Sequence, residues 1–313
     1  MEKRTLGRTS LPVTPLCVGT SALGSFPEQY GYAVGTDVAV ATIRRTFAGP
    51  INFIDTSNEY GHGGDSERRI GIAIREAGGL PPGFVLATKV DPLPGSSDFS
   101  GDRVRRSVEE SLERLGLERL QIVYLHDPEK MTFEAGMASG GAVEAMVKMR
   151  DEGVIAHLGV AGGPIDLMLR YLSTDLFDSI ISHNRYTLVD QSAEPLIETC
   201  MARDVGFVNA APYGGGMLVK GPDAVPRYCY APASAATLTR VRAMEALCKA
   251  HDVPLAAAAL QFSTRDARVA STIVGMSTPA RLDETLALLD HPIDETLWAE
   301  LRPFIEPGRS GVI

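Results

Sequence analysis

The fold is decided by a stretch of sequence that reads VLATKV at 85–90, SGDRVRRSVEESLERL at 100–115 and IVYLH at 122–126. The first and last segments are apolar almost throughout, which is typical of parallel strands that are covered on both faces. In the middle segment the apolar residues from Val104 to Leu115 step by four, four and three, the period of a helix with one buried face. A strand, a helix and a second strand predict a right-handed βαβ unit.

The same unit recurs along the chain. Strands are predicted at 16–20, 52–56, 85–90, 122–126, 155–160, 179–183, 206–210 and 271–274. Helical patterns lie between them at 37–47, 65–77, 100–115, 141–152, 164–172, 192–203, 234–251 and 279–289, and two further patterns, at 254–264 and 295–304, look additional to the repeat. Eight such units favour a closed (β/α)8 TIM barrel of the α/β class, with extra C-terminal helices. Residues 1–15 predict an N-terminal β-hairpin that plugs the bottom of the barrel.

An open, doubly wound sheet is the rival architecture. That fold usually carries a glycine-rich GxGxxG turn after its first strand. Here the corresponding turn reads TSALG at 20–24, and the glycines of GHGG at 61–64 have the wrong spacing. The sequence shows no linker, internal repeat or low-complexity segment. A single barrel domain over residues 1–313 is therefore predicted.

Composition excludes several classes of function. The 313 residues are 44% hydrophobic and 22% charged, with a formal net charge of −9. Diffuse acidity argues against binding to nucleic acid and to anionic membranes, both of which need clustered Lys and Arg. The opening residues lack the apolar core of a signal peptide, and no apolar run is long enough to span a bilayer. The four cysteines lie far apart without a CxxC pair, so we expect reduced thiols, a cytoplasmic location and no metal site.

Ionisable residues follow three neighbouring predicted strands. Asp55 ends the second strand, Lys89 lies near the end of the third, and His126 ends the fourth. The intervals of 34 and 37 residues each correspond to about one βα unit. The three side chains should therefore meet at the carboxyl end of the barrel, where active sites of this fold lie. Tyr60, five residues after Asp55, can fold back over them.

This combination predicts proton transfer. Asp55 and Lys89 on adjacent strands can pair, which makes their burial tolerable. An ammonium about 4 Å from the Tyr60 phenol would lower its pKa by up to about three units and make it an acid or base near neutrality. His126 can hydrogen-bond the same substrate oxygen and orient it. Each residue alone has an ordinary structural explanation, such as a cap or a rim charge, but four of them at consecutive strand ends indicate a site.

These segments resemble the aldo-keto reductase superfamily. The resemblance is carried by DTSNEYG at 55–61, by Thr88-Lys89 and Tyr124-Leu125-His126, and by the later blocks GVAG at 159–162, APYGGGML at 211–218 and IVGMST at 273–278. It implies a (β/α)8 barrel that binds NAD(P)H in an extended form and moves a hydride between the nicotinamide and a carbonyl or carbinol carbon. It also implies that Tyr60 is the general acid/base, that Lys89 lowers its pKa, that Asp55 holds Lys89, and that His126 positions the substrate oxygen.

The resemblance further implies where the cofactor binds. The residues expected to bind it are Thr20, Ser21, Asp55, His183, Asn184, Tyr213, Gly214, Gly216, Leu218, Gly275, Ser277, Thr278, Arg281, Glu284 and Thr285. The family's Ser-Asn pair for the nicotinamide carboxamide is replaced by Ala161 and Gly162, so we expect His183 or Asn184 to make that contact. Arg281 can stack on adenine or bind a 2′-phosphate. The Lys of strongly NADP-preferring members is absent, which leaves NAD and NADP both open and favours NAD slightly.

Three segments narrow the resemblance to a dehydrogenase branch, namely those at 20–24, 181–186 and 209–213. The branch includes D-threo-aldose (L-fucose) 1-dehydrogenases and pyridoxal 4-dehydrogenase, which oxidise a cyclic hemiacetal to a lactone. The residues expected to contact substrate are Tyr30, His62, His126, Tyr228 and Tyr230. Two alternatives stay open, an NADPH-dependent reductase of aldehydes or ketones and a cofactor-binding regulatory subunit. The oligomeric state is left open.

Overall fold

A computed structural model describes residues 1–93, 95–229 and 231–305 of the chain. Its strands are β1 (Arg4–Thr5), β2 (Pro12–Val13), β3 (Leu16–Gly19), β4 (Phe53–Asp55), β5 (Val85–Val90), β6 (Leu120–His126), β7 (Ile155–Gly162), β8 (Ser179–His183), β9 (Gly206–Ala210), β10 (Arg227–Tyr228), β11 (Ala231–Pro232) and β12 (Ser271–Gly275). Its helices are α1 (Pro27–Tyr30), α2 (Thr36–Phe47), α3 (Asp65–Glu76), α4 (Gly101–Leu115), α5 (Phe133–Met137), α6 (Ala142–Asp151), α7 (Ile165–Leu172), α8 (Glu194–Ala202), α9 (Met217–Lys220), α10 (Ala235–Ala250), α11 (Leu255–Thr264), α12 (Pro279–Asp290) and α13 (Glu295–Leu301).

Eight parallel strands close into a barrel within these described ranges. They follow the order β12-β3-β4-β5-β6-β7-β8-β9, and each pairs with the next in the parallel sense. The predicted (β/α)8 barrel is confirmed, and the open sheet is wrong because β12 pairs with both β3 and β9. The apolar runs that predicted the strands are buried between the helices outside and a packed interior, which contains Phe53, Ile122, Tyr124 and Val208.

The sequence analysis took the helical pattern at 254–264 as additional to the repeat, and this interpretation is wrong. Instead α11 packs against β12 and α12 and so belongs to the barrel layer, whereas α10 lies outside it, against α11 and α13. Composition explains the difference. Residues Leu255–Leu260 of α11 are all buried, as befits a helix that is apolar on every side. Helix α10 buries only Val241, Met244 and Cys248.

The hairpin at the start of the chain closes the bottom of the barrel, as predicted. Strands β1 and β2 pair antiparallel around a 3-10 turn at Gly7–Thr9. Leu6 and Val13 are fully buried in the same cluster as the barrel interior. The Arg4 guanidinium donates to the carbonyls of Thr264, Asp266 and Val269, which ties the hairpin to the segment after α11.

Strands β10 and β11 form a short antiparallel ribbon in the loop after β9 that the sequence did not predict. Each strand has only two residues, too few for a hydrophobic period to show. The ribbon lies against the 3-10 turn at Gly214–Gly216, above the carboxyl end of the barrel, which we call the mouth. Among the described helices, none is both long and apolar enough to cross a membrane.

Candidate active site

The structure brings the four predicted catalytic residues together at the mouth. Lys89 Nζ lies 2.7 Å from Asp55 Oδ2 and 3.1 Å from the Tyr60 hydroxyl, and it donates a third hydrogen bond, of 2.7 Å, to the Thr56 carbonyl. The ring of His126 meets that of Tyr60 edge to face, with 5.9 Å between centroids. A carboxylate, an ammonium, a phenol and an imidazole therefore lie together at the mouth.

Strand register and one close glycine contact fix this geometry. In β5 the side chain of Lys89 points the same way as that of Ala87, which pairs with Asp55 of β4. Lys89 itself pairs with Tyr124, two residues before His126 in β6. The Tyr60 loop is placed by Gly61, whose φ is +91° and whose added Cβ would lie 2.4 Å from the Gly24 carbonyl oxygen. Only glycine permits this approach, so the turn holds Tyr60 over the barrel.

The Asp55–Lys89 pair is buried, with side-chain exposures of 4% and 3%. Burying two charges is tolerable when they are paired and their remaining hydrogen bonds are satisfied. Lys89 meets that condition through its three acceptors. Asp55 Oδ1 does not, because it is buried and has no hydrogen-bond partner among the described residues. A buried acceptor of this kind is suited to a hydroxyl donor from a bound molecule, such as a ribose.

The pKa of Tyr60 does not follow the prediction. Burial raises the pKa of the phenol well above its usual value, and the nearby carboxylates of Asp55 and Asp91 raise it further. The sequence argument counted the Lys89 cation but not its partner. Because Lys89 Nζ already contacts the Asp55 carboxylate, the pair presents little net charge to the phenol. The Tyr60 phenol is therefore held in its protonated form.

Asp91 is a site residue that the sequence analysis missed. It is fully buried, and its Oδ1 lies 2.5 Å from Nδ1 of His126. The Ser57 hydroxyl and the Glu59 backbone N–H both donate to its Oδ2. Burial alone would raise the pKa of Asp91, but the His126 imidazole and the Ser57 hydroxyl hold it below its usual value. Its position in the sequence could have revealed it, because Asp91 lies two residues after Lys89 and directly follows the same strand.

The rim beyond His126 carries several charged groups. Lys130 pairs with Asp127 at 3.2 Å and with Glu59 at 3.4 Å. Asp127 has a φ of +44° and places its Oδ1 3.6 Å from His126 Nε2. Burial and the Asp127 carboxylate raise the pKa of Glu129, which completes the acidic side of the rim. A rim of this kind suits neutral, hydroxyl-rich ligands and opposes anionic ones.

Several polar side chains of the protein match the nicotinamide end of a dinucleotide. The Thr20 hydroxyl is buried and donates to the Asp55 carbonyl, while Ser21 accepts a 2.7 Å hydrogen bond from the Tyr30 hydroxyl. Ser182 Oγ at the end of β8 is buried and has no hydrogen-bond partner within the described part of the chain. Together with Asp55 Oδ1, it leaves polar atoms for a polar ring and its ribose, so the residues fit a nicotinamide nucleotide.

The place of the family's Ser-Asn pair is taken by other side chains. A Cβ at Gly162 would lie 2.9 Å from Glu129 Oε2, and one at Gly163 would lie 3.2 Å from His183 Cε1. Glu129 and His183 therefore occupy the space beside the end of β7. His183 Nδ1 lies 3.2 Å from the side-chain amide nitrogen of its neighbour Asn184. Both predicted carboxamide contacts, His183 and Asn184, lie at the end of β8, directly after Ser182.

The residues predicted to bind the adenosine end of the cofactor lie along one open edge of the mouth. A Cβ added at Gly216 or at Gly275 would meet nothing within 4 Å, so a ligand can approach the backbone there. Tyr213 lies before the glycine turn, and its buried hydroxyl has no hydrogen-bond partner within residues 1–93, 95–229 and 231–305. The other residues predicted for this turn, Gly214 and Leu218, are buried beneath it.

Helix α12 presents the remaining predicted cofactor residues. Thr278 caps the helix by accepting from the Arg281 N–H, and Ser277 precedes it. The guanidinium of Arg281 is exposed and pairs with Glu284 at 3.1 Å. Thr285 is buried and its hydroxyl donates to the Arg281 carbonyl, so it holds the helix turn that carries Arg281.

Arg281→Ala is expected to weaken dinucleotide binding by about tenfold, the equivalent of about 1.4 kcal/mol. If Arg281 binds a 2′-phosphate, the dissociation constant of NADP rises and that of NAD does not; if it stacks on adenine, both rise. Fluorescence titration with each dinucleotide measures the effect. Arg45→Ala is the matched control, because Arg45 pairs with Asp283 on the same helix at 2.6 Å. Unchanged constants in Arg281→Ala would remove this residue from the cofactor site.

Three of the residues predicted to contact substrate surround the mouth at different depths. The Tyr30 ring lies 5.9 Å from that of Tyr32, and His62 is exposed, 6.4 Å from the Phe26 ring. The hydroxyl of Tyr228 bonds to the Thr187 hydroxyl at 2.8 Å and to the Asn184 carbonyl at 3.2 Å. Its ring covers the glycine turn at Gly214. Of the other two, His126 is described above with the catalytic residues, and Tyr230 lies outside the described residues.

Comparison with known proteins gives one consistent family. The sequence model of the Aldo/keto reductase family matches residues 15–306. L-galactose dehydrogenase of Arabidopsis thaliana is 31% identical over 318 residues, which cover 99% of this chain and 96% of that protein. D-threo-aldose 1-dehydrogenase of a Pseudomonas species is 32% identical over 295 residues, covering 86% and 88%. Pyridoxal 4-dehydrogenase of Microbacterium luteolum is 28% identical over 339 residues, covering 96% of each.

Solved structures show the same fold. An aldo-keto reductase from Bacillus halodurans, in its holo form, superposes with a TM-score of 0.80 over 98% of this chain and 97% of that one. The two sequences are 22% identical, so this likeness supports the barrel and not a shared substrate.

Proposed function

Because the chain belongs to the aldo/keto reductase family and is an oxidoreductase, we propose that it is an NAD(P)-dependent dehydrogenase that oxidises the cyclic hemiacetal of a neutral aldose to a lactone. The observation that carries the proposal is the meeting of Asp55, Tyr60, Lys89 and His126 at the mouth of the barrel. Two relatives bear the names of aldose dehydrogenases, and the acidic rim fits a polyhydroxylated substrate without charge.

The chain's own residues orient the substrate and handle one proton. When bound, the nicotinamide supplies the acceptor for the hydride that leaves the anomeric carbon. Tyr60 and His126, whose rings meet edge to face, would hydrogen-bond the substrate oxygen, and Lys89 fixes the phenol with a 3.1 Å hydrogen bond. As the hydrogen leaves the anomeric carbon with the electron pair of the C–H bond, the O–H bond of the hydroxyl breaks. Its proton passes to the protein, and the C=O bond of the lactone forms. Thr20, Asp55 and Ser182 would hold the nicotinamide nucleotide, a role supported by the unpartnered buried oxygens of Asp55 and Ser182 among the described residues.

A substrate panel tests the proposal. Purified protein is mixed with NAD or NADP and with L-galactose, L-fucose, an aldose phosphate or pyridoxal, and formation of reduced nicotinamide is followed. We expect turnover with at least one neutral aldose and much weaker turnover with the aldose phosphate. The carboxylates of Glu59, Asp127 and Glu129 repel its negatively charged phosphate group. Turnover with pyridoxal alone would redirect the proposal to that hemiacetal.

One observation favours a second candidate, a reductase of aldehydes or ketones. The raised pKa of Tyr60 keeps its phenol protonated, which is the form that donates to a carbonyl oxygen. Consumption of NADPH with simple aldehydes, without oxidation of any aldose or of pyridoxal, would support this reductase. A lack of turnover in both directions with dinucleotide binding retained would favour a regulatory subunit instead.

A further inference from the structure

One carboxylate at the mouth has no cationic partner. Of the three rim carboxylates, Glu59 and Asp127 pair with Lys130, whereas Glu129 forms no ion pair in the ranges that the structure describes. Its Oε1 accepts a 3.3 Å hydrogen bond from the Gly163 N–H, which fixes the carboxylate beside β7. Glu129 is also exposed, so a bound molecule can reach it. Because an ionised carboxylate only accepts hydrogen bonds, its second oxygen, Oε2, is suited to a donor from a ligand.

A glycine at the end of β7 makes room for this carboxylate. A Cβ at Gly162 would lie 2.9 Å from Glu129 Oε2 and 3.0 Å from Pro128 Cδ. A side chain at this position would therefore displace the segment that follows β6. Gly162 pairs with Ser182 of the neighbouring strand β8. The Glu129 carboxylate thus lies at the carboxyl ends of these two strands.

His183, the last residue of β8, offers a hydrogen-bond donor beside Glu129. Its Nδ1 lies 3.2 Å from the side-chain amide nitrogen of Asn184. An amide nitrogen only donates, so Nδ1 accepts, and in the neutral imidazole the proton lies on Nε2. A Cβ at Gly163 would lie 3.4 Å from that Nε2 and 3.6 Å from Glu129 Oε1. A ring nitrogen of His183 and a carboxylate oxygen of Glu129 lie within 4.8 Å of each other.

An acceptor beside a donor matches a primary carboxamide. Such a group has an NH2 that donates and a carbonyl oxygen that accepts. The nicotinamide ring carries one, and the groups that fit its nucleotide are close in the fold. Ser182 directly precedes His183, and its buried Oγ, like Oδ1 of Asp55, has no hydrogen-bond partner among the residues that the structure describes.

We propose that Glu129 accepts from the carboxamide N–H of a bound nicotinamide while His183 donates to its carbonyl oxygen, and that the Glu129 carboxylate excludes dinucleotides in which this amide is an acid. The inference rests on the nicotinamide-dependent function proposed above, and it does not depend on which aldose is oxidised. Nicotinic acid adenine dinucleotide differs from NAD in this one group. Its carboxylate has no N–H to donate, and it places a second negative charge beside Glu129. Glu129 is therefore a residue that determines cofactor specificity.

Dissociation constants for NAD and for nicotinic acid adenine dinucleotide, measured by isothermal titration calorimetry without substrate, test the inference. The measurement is made at pH 8, where carboxyl groups are ionised. If the protein binds NADP more tightly, NADP and its nicotinic acid analogue replace this pair. We expect the unmodified protein to bind the carboxamide form at least about 100-fold more tightly than the acid, because like charges repel at close range.

Replacing Glu129 separates its charge from its hydrogen bond. In Glu129→Gln the preference for the carboxamide form should fall below about tenfold, because the amide has no charge and can donate to the acid. Affinity for NAD itself should change only a few-fold, since the amide oxygen still accepts. Glu129→Ala lacks that acceptor and should bind NAD about tenfold more weakly than the unmodified protein.

Glu59→Gln is the matched control. It removes one negative charge from the same rim, but from a carboxylate that Lys130 already pairs with at 3.4 Å. The preference for the carboxamide form should stay within about threefold of the unmodified value, because a paired rim charge contributes little. Equal losses of preference in Glu59→Gln and Glu129→Gln would overturn the inference, since the general field of the rim would then explain both. An unchanged preference in Glu129→Gln, with a raised KM for an aldose, would also overturn it and make Glu129 a substrate contact.

The two proposals fail on different measurements. If the preference depends on Glu129 but no aldose is oxidised, the inference stands and the dehydrogenase function fails. If an aldose is oxidised while Glu129→Gln keeps the full preference, only the inference fails. If the unmodified protein binds neither dinucleotide, both are wrong.

Discussion

Replacing Tyr60 by Phe is expected to lower kcat/KM for aldose oxidation by about 10² to 10³, the effect of removing one preorganised hydrogen-bond donor from a reacting oxygen. The ring stays in place, so the packing of Tyr60 against His126 and the binding of the dinucleotide should be retained. Steady-state kinetics give the loss, and fluorescence titration gives the dissociation constant of the cofactor.

A matched variant separates this effect from a general loss of a phenol. Tyr171 also has a buried hydroxyl, with no hydrogen-bond partner among the described residues, and it lies on α7 away from the mouth. Tyr171→Phe should leave kcat/KM unchanged. If Tyr60→Phe keeps activity within a few-fold of the unmodified protein, Tyr60 does not contact the reacting oxygen.

Replacing Lys89 by Met is expected to destabilise the protein by about 3–5 kcal/mol, because it leaves Asp55 charged and buried without its partner. The free energy of unfolding in urea measures the loss. The double variant Asp55→Asn, Lys89→Met should recover most of that stability, since no uncompensated charge remains. It should not recover activity, because the Tyr60 hydroxyl has lost the ammonium that fixes it.

An exposed ion pair gives the comparison for Lys89. Lys148 pairs with Glu144 at 2.6 Å on the surface of α6, and Lys148→Met should cost only about 0.3–0.5 kcal/mol. A similarly small loss in Lys89→Met would mean that the buried pair contributes little to the folded state. A double variant no more stable than Lys89→Met would show that the lost stability is not due to the charge left on Asp55.

The barrel could be predicted because its strands depend on a local pattern. Runs such as 85–90 and 179–183 match the observed β5 and β8 residue for residue, since strands buried on both faces must be apolar throughout. Which helix joins the barrel layer depends on packing between distant segments. The patterns at 234–251 and 254–264 are both helical, and only their contacts with β12 and α13 separate them.

The sequence predicted most of the residues that meet at the candidate site, but it did not predict the pKa of Tyr60. Asp55, Lys89 and His126 follow successive strands, so topology alone brings them together. Asp91 was missed because an aspartate just after a strand looks like an ordinary loop residue, and its partner is 35 positions further on. The raised pKa of Tyr60 depends on burial and on two carboxylates, which a count of nearby lysines does not reveal.

The central claim is that this chain transfers a hydride from the anomeric carbon of a neutral aldose to a nicotinamide at the Asp55, Tyr60, Lys89 and His126 site. Incubation of the protein with NAD or NADP and an aldose deuterated at that carbon tests it most directly, with both products analysed by mass spectrometry. We expect one deuterium on the reduced nicotinamide and a lactone that has lost its label. Reduced cofactor without deuterium, or no reduced cofactor with any neutral aldose, would contradict the claim.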